Sequence, residues 1–130
     1  MNIVVVGCGR VGSQLATMLS VEGHNVVVID RDETAFRRLG STFNGVTLRG
    51  LGFDEEVLEQ AGIRETDVFA AVTNLDNTNL MAAEVARKIF GVPHVVARLY
   101  NPVRERTYQQ LDLDYVFGTT LLAESLMEKI

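Results

Sequence analysis

The stretch VVVGCGRVGSQLA, residues 4–16, places three glycines, Gly7, Gly9 and Gly12, between an apolar run and an amphipathic segment. Between a strand and a helix, this GxGxxG spacing forms a phosphate-binding turn. The first glycine permits the tight turn, the second leaves room for a pyrophosphate, and the third lets the helix pack closely on the strand. Free N–H groups at the helix N-terminus favour a bound anion. We therefore expect this loop to cradle phosphate groups.

An acidic residue ends the second apolar run, NVVVID (25–30), eighteen residues beyond Gly12. A carboxylate at Asp30 would accept both ribose hydroxyls of an adenosine and repel a 2′-phosphate, which favours NAD over NADP. Arg31 weakens this preference without reversing it. Arg10, inside the loop, is expected to point toward the phosphates and to clamp a terminal one. Cys8 is expected to fill space rather than act as a nucleophile, because no histidine lies near it in sequence.

Apolar runs alternate with helix-like segments along the whole chain. Strands are predicted at 2–6, 25–30, 45–50, 67–73, 94–99 and 114–118, and helices at 12–22, 32–40, 53–63, 76–91, 103–110 and from 119 onward. This alternation predicts an α/β fold, a Rossmann-like doubly wound parallel sheet of six strands. The last helix carries an apolar stripe and no glycine or asparagine cap, so we divide the chain into a nucleotide-binding domain, 1–118, and a C-terminal helix, 119–130.

Composition limits the classes of partner. A chain of 130 residues fits one domain, and a net charge of −5 gives no attraction to nucleic acid or to an anionic lipid surface. The single cysteine excludes an intramolecular disulfide and suits a reducing cytosol. We expect no signal peptide and no transmembrane segment, so any membrane role would act through a partner.

Groups for catalysis are sparse. His24 and His94 both lie at the amino ends of predicted strands, whereas ligands of such sheets bind at the carboxyl ends. Tyr100 is the one proton donor near the carboxyl edge, and it is expected to be structural. We therefore expect a nucleotide-binding module without turnover. A small NAD(P)-dependent oxidoreductase fragment and an assembly module with a vestigial site remain the alternatives.

Three further segments, EVLEQAGI (56–63), AVTNLDNTNL (71–80) and VVARLYNP (95–102), complete a family resemblance. With the glycine loop and its acid, they make the chain similar over essentially its whole length to the N-terminal RCK (TrkA-N) domain of Trk/Ktr-type potassium-uptake regulators. The resemblance implies a cytoplasmic, non-enzymatic regulatory subunit. Such subunits form homodimers that assemble into a ring on the inner face of the membrane, under a potassium channel or transporter. Nucleotide binding, either NAD(H) or ATP, ADP and AMP, changes the shape of the ring.

The resemblance also implies the contact residues. By position, the nucleotide would touch the loop from Gly7 to Val11, Asp30, Thr73 with Asn74, and Arg98. Thr73 and Asn74 follow the fourth predicted strand and so lie at the carboxyl edge. The last helix corresponds to the family's crossover helix, which packs against the second subunit.

One departure concerns the adenine end of the site. After the third strand the family commonly shows Gly-Asp-Ala, whereas this chain has Gly50-Leu51-Gly52. Leu51 is expected to pack on an adenine face, but it cannot accept a hydrogen bond from the amino group. Selectivity for adenine, and the choice between NAD(H) and the adenine mononucleotides, therefore stay open.

Overall fold

One parallel sheet organises the molecule, of which the computed structural model describes residues 1–101, 105–110 and 113–130. Its strands in the described residues are β1 (Asn2–Val6), β2 (Asn25–Asp30), β3 (Val46–Arg49), β4 (Val68–Ala71), β5 (His94–Leu99) and β6 (Asp114–Phe117). Their order across the sheet is β3-β2-β1-β4-β5-β6, with every pair parallel. The predicted Rossmann-like sheet of six strands is confirmed.

Helices connect the strands. They are α1 (Arg10–Val21), α2 (Glu55–Gln60), α3 (Asp76–Glu84), α4 (Glu105–Gln109) and α5 (Gly118–Lys129), with 3₁₀ turns at Glu33–Arg38 and Ile63–Glu65 and a π-helical turn at Val85–Ile89. The helix predicted for 76–91 is thus α-helical only to Glu84. The predicted start of the 103–110 helix lies outside the described residues.

The segment predicted as a helix at 32–40 is a 3₁₀ helix. The Asp32 carboxylate caps it as expected, accepting hydrogen bonds from the Thr34 N–H (3.0 Å) and hydroxyl (2.7 Å). The N–H groups of Ala35 and Leu39 donate to the carbonyls three residues earlier. The element has six residues, which is long for a 3₁₀ helix, since runs of more than three or four residues are uncommon.

The core lies on both faces of the sheet because neighbouring residues of a strand point to opposite sides. Val4 and Val6 of β1 pack with Phe69 and the alanines of α3 on one face. Ile3 and Val5 pack with Val28, Ala16 and Cys8 on the face covered by α1. β1 is therefore buried on both sides, which explains its unbroken apolar sequence.

Helix α5 differs from the rest of the chain. It begins directly after β6 and has no buried residue. Leu121, Leu122, Leu126 and Met127 are each more than half exposed, the last at 71%. These four residues give α5 an apolar surface outside the core.

Candidate functional site

A crevice opens at the carboxyl ends of β1, β2 and β4, where the strand order reverses on either side of β1. This is the position at which open α/β sheets bind ligands. Its volume is about 370 Å³, within the range of small-molecule sites. The residues that line it are Val6, Gly7, Ile29, Asp30, Arg31, Gly50, Leu51, Gly52, Phe53, Thr73, Asn74, Leu75 and Thr78.

The three glycines of the loop serve different purposes. Gly7 has φ +107°, and a Cβ there would lie 2.9 Å from the backbone nitrogen of Thr73. A Cβ on Gly12 would lie 1.7 Å from the carbonyl oxygen of Gly7. Packing within the protein therefore requires glycine at both position 7 and position 12. Gly9 differs, because its φ is −80° and a Cβ would meet no atom within 4 Å. The space beside Gly9 is open to a ligand, and this fits a bound pyrophosphate.

Helix α1 starts at this open space. Gly9 is its N-cap and supplies no side-chain hydrogen bond, so the N–H groups of the first turn lack intrahelical acceptors and present positive charge. The Arg10 side chain is exposed at the same end. Val11, also predicted as a contact, lines an apolar groove on the α1 face of the sheet instead of the crevice.

Asp30 ties the walls of the crevice together. Its Oδ2 accepts a hydrogen bond from the Cys8 N–H (2.8 Å), and its Oδ1 accepts one from the Asp32 N–H (2.8 Å). A carboxylate oxygen has more than one acceptor position, so each can still receive a ribose hydroxyl. Asp30 thus holds the glycine loop in place and presents a negative charge to the crevice.

The Cys8 side chain points away from the crevice into the core. It is fully buried. Burial raises the pKa of its thiol to about 11, with a further contribution from the nearby Asp30 charge and a partial offset from Arg38. A thiol with this pKa is neutral at pH 7 and a poor nucleophile. Only the backbone of Cys8 faces the site.

The wall after β3 is apolar and closely packed. A Cβ on Gly52 would lie 2.2 Å from Cγ1 of Val6, so only glycine fits against the end of β1. Leu51, 41% exposed, and Phe53 line the crevice on either side of it. Phe53 was not predicted as a site residue: the sequence pattern placed it in the helix 53–63, whereas it lies in the turn before α2.

The loop after β4 forms the opposite wall. Thr73 and Asn74 line the crevice as predicted, together with Leu75 and Thr78. The Asn79 side chain holds this loop: its Oδ1 accepts from the Thr73 N–H (2.9 Å) and hydroxyl (2.6 Å), and its Nδ2 donates to the Thr73 carbonyl (3.0 Å). Asn79 is fully buried. Asn79 was not predicted as a functional residue. The sequence signal for it is a polar residue at a core-facing position of the helix.

Arg98 is not brought together with the other predicted contacts. Its guanidinium lies 4.2 Å from the ring centroid of Tyr100, and both side chains line the apolar groove on the α1 face. Side chains alternate along β5, so Val95 and Ala97 face α3 while Val96 and Arg98 face the groove.

The remaining candidates for chemistry lie away from the crevice. Nε2 of His94 is 3.2 Å from the Asp114 carboxylate, at the amino edge of the sheet. Nδ1 of His24 is 3.1 Å from the amino group of Met1 at the same edge. Within residues 1–101, 105–110 and 113–130, no cluster of His, Cys, Asp and Glu could hold a metal ion. Within the same ranges, no helix has the length and apolar character needed to cross a bilayer.

The family model of the TrkA-N domain matches residues 3–119. The chain belongs to the TrkA-N domain family. This TrkA-N domain is 50% identical over all of its 130 residues to the Trk system potassium uptake protein TrkA of Streptomyces coelicolor, of which it covers 58%. It is 33% identical over its full length to a TrkA homolog of Methanothermobacter thermautotrophicus, of which it covers 60%. It therefore spans less than two thirds of these relatives.

Solved structures share the fold. The GsuK channel bound to NAD is 25% identical with a TM-score of 0.76, over 98% of this TrkA-N domain and 23% of that chain. The Kef C-terminal domain of Shewanella denitrificans in its AMP-bound form is 20% identical with a TM-score of 0.81, over 97% of this domain and 77% of that chain.

Proposed function

We propose that this TrkA-N domain is the nucleotide-binding regulatory part of a potassium-uptake system, without catalytic activity. The observation that carries the proposal is the arrangement of the glycine loop: Gly7 and Asp30 line the crevice, and the chain then passes through the open space at Gly9 to the uncapped start of α1. Identity of 50% to a Trk potassium uptake protein supports the choice of transport system.

The proposed ligand is NAD(H). Asp30 would bind the adenosine ribose, while the backbone of the Gly7–Gly12 loop, the first turn of α1 and Arg10 would bind the phosphates. Leu51 and Phe53 offer an apolar wall to the base. NAD(H) would act here as a signal, and the chain's own residues bind and orient it.

ATP, ADP and AMP are the alternative ligands, because they share the adenosine and the phosphates that these residues contact. The NAD complex of the GsuK channel supports the first choice, and the AMP complex of the Kef domain supports the second. The two choices differ in whether a second nucleoside lies beyond the phosphates.

The proposed assembly is a homodimer formed through α5 and extended into a ring beneath a membrane potassium channel or transporter, on its cytoplasmic side. An apolar groove of about 830 Å³ runs along the α1 face and reaches Leu121, Leu122 and Ser125 of α5. The exposed apolar residues of α5 and this groove offer two apolar surfaces that a second copy would cover. Residues 119–130 thus form the proposed crossover helix.

Ligand binding is tested by thermal unfolding and calorimetry with NAD⁺, NADH, NADPH, ATP, ADP and AMP at equal concentrations. A ligand at 100 times its Kd adds about 2.7 kcal/mol to the free energy of unfolding. We expect NAD⁺ and NADH to stabilise the domain and NADPH not to do so. Absence of any shift would refute the nucleotide-binding proposal, and a shift by the mononucleotides alone would select them over NAD(H).

A pair of variants tests the role of Asp30. Asp30→Ala removes a carboxylate that would bind the ribose, and charge-assisted hydrogen bonds of about 1.5–3 kcal/mol correspond to a loss of roughly ten- to hundredfold in affinity. Asp54→Ala is the matched control, because the Asp54 carboxylate also accepts two backbone N–H groups but lies outside the crevice. Equal affinity in the two variants would remove Asp30 from the site.

A further inference from the structure

We propose that Asn79 is a positioning residue that couples the nucleotide crevice to α5. This inference rests on the proposed function, since it describes how occupancy of the crevice would reach the surface proposed for assembly. The Asn79 side chain bonds to the crevice wall on one side and to the end of β5 on the other.

The first step is the contact between the phosphate loop and the β4–α3 loop. The backbone of Thr73 lies so close to Gly7 that a Cβ on Gly7 would be 2.9 Å from the Thr73 nitrogen and 3.1 Å from its Cα. Movement of the glycine loop on binding phosphates therefore presses directly on Thr73. Three hydrogen bonds then join Thr73 to the Asn79 amide.

The second step leads from Asn79 to β5. Its Nδ2 also donates to the carbonyl oxygen of Arg98 at 2.7 Å. The amide thus uses one oxygen for two groups of Thr73 and one nitrogen for the carbonyls of Thr73 and Arg98. It is fully buried, so water cannot replace a lost partner, and the two carbonyls stay at a fixed distance from each other.

The third step leads from β5 to α5. Arg98 is paired with Val116, and Leu99 with Phe117, at the carboxyl ends of β5 and β6. Helix α5 starts at the next residue, Gly118, where a Cβ would lie 3.7 Å from Nε of Arg98. A shift of the β5 end is therefore transmitted to the first turn of α5 by strand pairing and by the Arg98 side chain.

A second bridge runs parallel to the first. The Asp76 carboxylate, in the first turn of α3, accepts hydrogen bonds from the N–H groups of Tyr100 (2.8 Å) and Asn101 (3.0 Å). Asp76 and Asn79 lie one turn apart on α3, so this helix end binds the chain beyond β5 at two points. Asp76 is only half-buried, which makes it the more tolerant site for substitution.

The substitution Asn79→Asp breaks the link between the β4–α3 loop and the end of β5. An aspartate keeps the oxygen that accepts from Thr73 but replaces the Nδ2 donor with a second oxygen, which faces the carbonyls of Thr73 and Arg98. Asn77→Asp is the matched control, since it adds the same charge to an exposed position of the same helix. The readout is hydrogen–deuterium exchange of two regions, 73–79 and 118–125, without ligand and with NAD⁺ at concentrations that fill each variant equally by calorimetry.

In the unsubstituted chain and in Asn77→Asp we expect NAD⁺ to slow exchange in both regions. In Asn79→Asp we expect it to slow exchange at 73–79 while the change in protection at 118–125 falls by about two- to thirtyfold. A residue that only supported the fold would change protection without ligand, but at equal occupancy it would leave the response of α5 to NAD⁺ intact. If Asn79→Asp does not fold, Asn79→Ser replaces it, because the shorter side chain cannot hold the carbonyls of Thr73 and Arg98 together, and the same reduced response of α5 is expected.

Three outcomes overturn the inference. One is an α5 response of unchanged size in the folded variant at equal occupancy. A second is an α5 region in the unsubstituted chain that does not respond although calorimetry shows NAD⁺ binding; in that case the proposed function stands and the coupling falls. The third is absence of calorimetric binding by NAD⁺, ADP and AMP alike, which removes the proposed function and the coupling with it.

Discussion

The substitution Gly12→Ala tests the geometry of the phosphate loop. Gly12 is the third residue of α1, and its added Cβ would lie 1.7 Å from the Gly7 carbonyl oxygen and 2.8 Å from the Gly7 carbonyl carbon. Both atoms belong to the backbone, so no side-chain rotation relieves the overlap. Either α1 or the loop must move by more than 1 Å, on the order of the shortfall from an ordinary contact.

The expected loss follows from two opposing terms. Alanine is favoured over glycine within a helix by about 0.5–1 kcal/mol. Overpacking of a tight site costs about 1–3 kcal/mol, and more where backbone must shift. Since the overlap involves backbone, we expect the unfavourable term to dominate, with a net loss near 2 kcal/mol and a fall in Tm of about 5–10 °C.

Gly9→Ala is the matched control, because the same methyl group there meets no protein atom within 4 Å and the φ of −80° suits alanine. Alanine is a poorer N-cap residue than glycine, so we expect the free energy of unfolding to fall by about 1 kcal/mol at most, less than in Gly12→Ala. The methyl group would occupy space proposed for the pyrophosphate, so NAD⁺ affinity should fall at least tenfold. Urea denaturation measures the first quantity and calorimetry the second.

Each variant can refute part of the reasoning. A Gly12→Ala chain as stable as the original would contradict the packing of α1 against the loop. A Gly9→Ala chain that binds NAD⁺ with unchanged affinity would show that no phosphate approaches this loop. A loss of stability in Gly9→Ala as large as that in Gly12→Ala would mean that glycine is required there by the fold, and its binding defect would then say nothing about a ligand.

Further expectations concern the rest of the chain. Asp54→Ala should lower the free energy of unfolding by about 1 kcal/mol in urea denaturation, because it removes the N-cap of α2. Because the pKa of Cys8 is raised from 9.0 to about 11, folding favours the neutral thiol; its contribution is complete below pH 9 and is lost as pH rises toward 11. The stability difference between the original chain and Cys8→Ser should therefore shrink over that range. Leu126→Glu, at an exposed α5 position, should reduce dimer formation in light scattering and leave the melting of the monomer unchanged.

The fold was largely accessible from the sequence because each strand has a distinct signal. β1, β2 and β5 match their predicted bounds, since each is an apolar run ended by glycine, a charge or a loop residue. The helix predicted for 76–91 failed at its last turn, where Val85–Ile89 is π-helical. Hydrophobic spacing does not distinguish i→i+4 from i→i+5 hydrogen bonds over one turn.

The positions of the predicted site residues followed from the sequence more readily in the glycine loop than for individual side chains. The spacing of Gly7, Gly9 and Gly12 fixes their places in the loop, and Asp30 follows from the end of β2. Arg98 depended on which face of β5 its side chain occupies. Burial alternates along β5, but the run Val95–Ala97 is apolar throughout, so the sequence shows no alternation from which to decide. Asn79 was not predicted, because its importance comes from three hydrogen bonds to Thr73, six residues earlier, and one to Arg98, nineteen residues later, which only the fold brings together.

The placement of Arg98 and Asn79 bears on how a ligand could act at a distance. Thr73, just beyond β4, lines the crevice, whereas Arg98, near the carboxyl end of the neighbouring strand β5, lines the apolar groove. A ligand can shift an equilibrium only by its difference in affinity for the two states. The hydrogen-bonded Asn79 amide suits that task, because its four hydrogen bonds allow few alternative geometries. An apolar contact at the same place would let the two elements slide past each other. NAD⁺ would therefore bias α5 only to the extent that the Thr73 backbone differs between the two states, and this is the quantity that exchange at 73–79 and 118–125 measures.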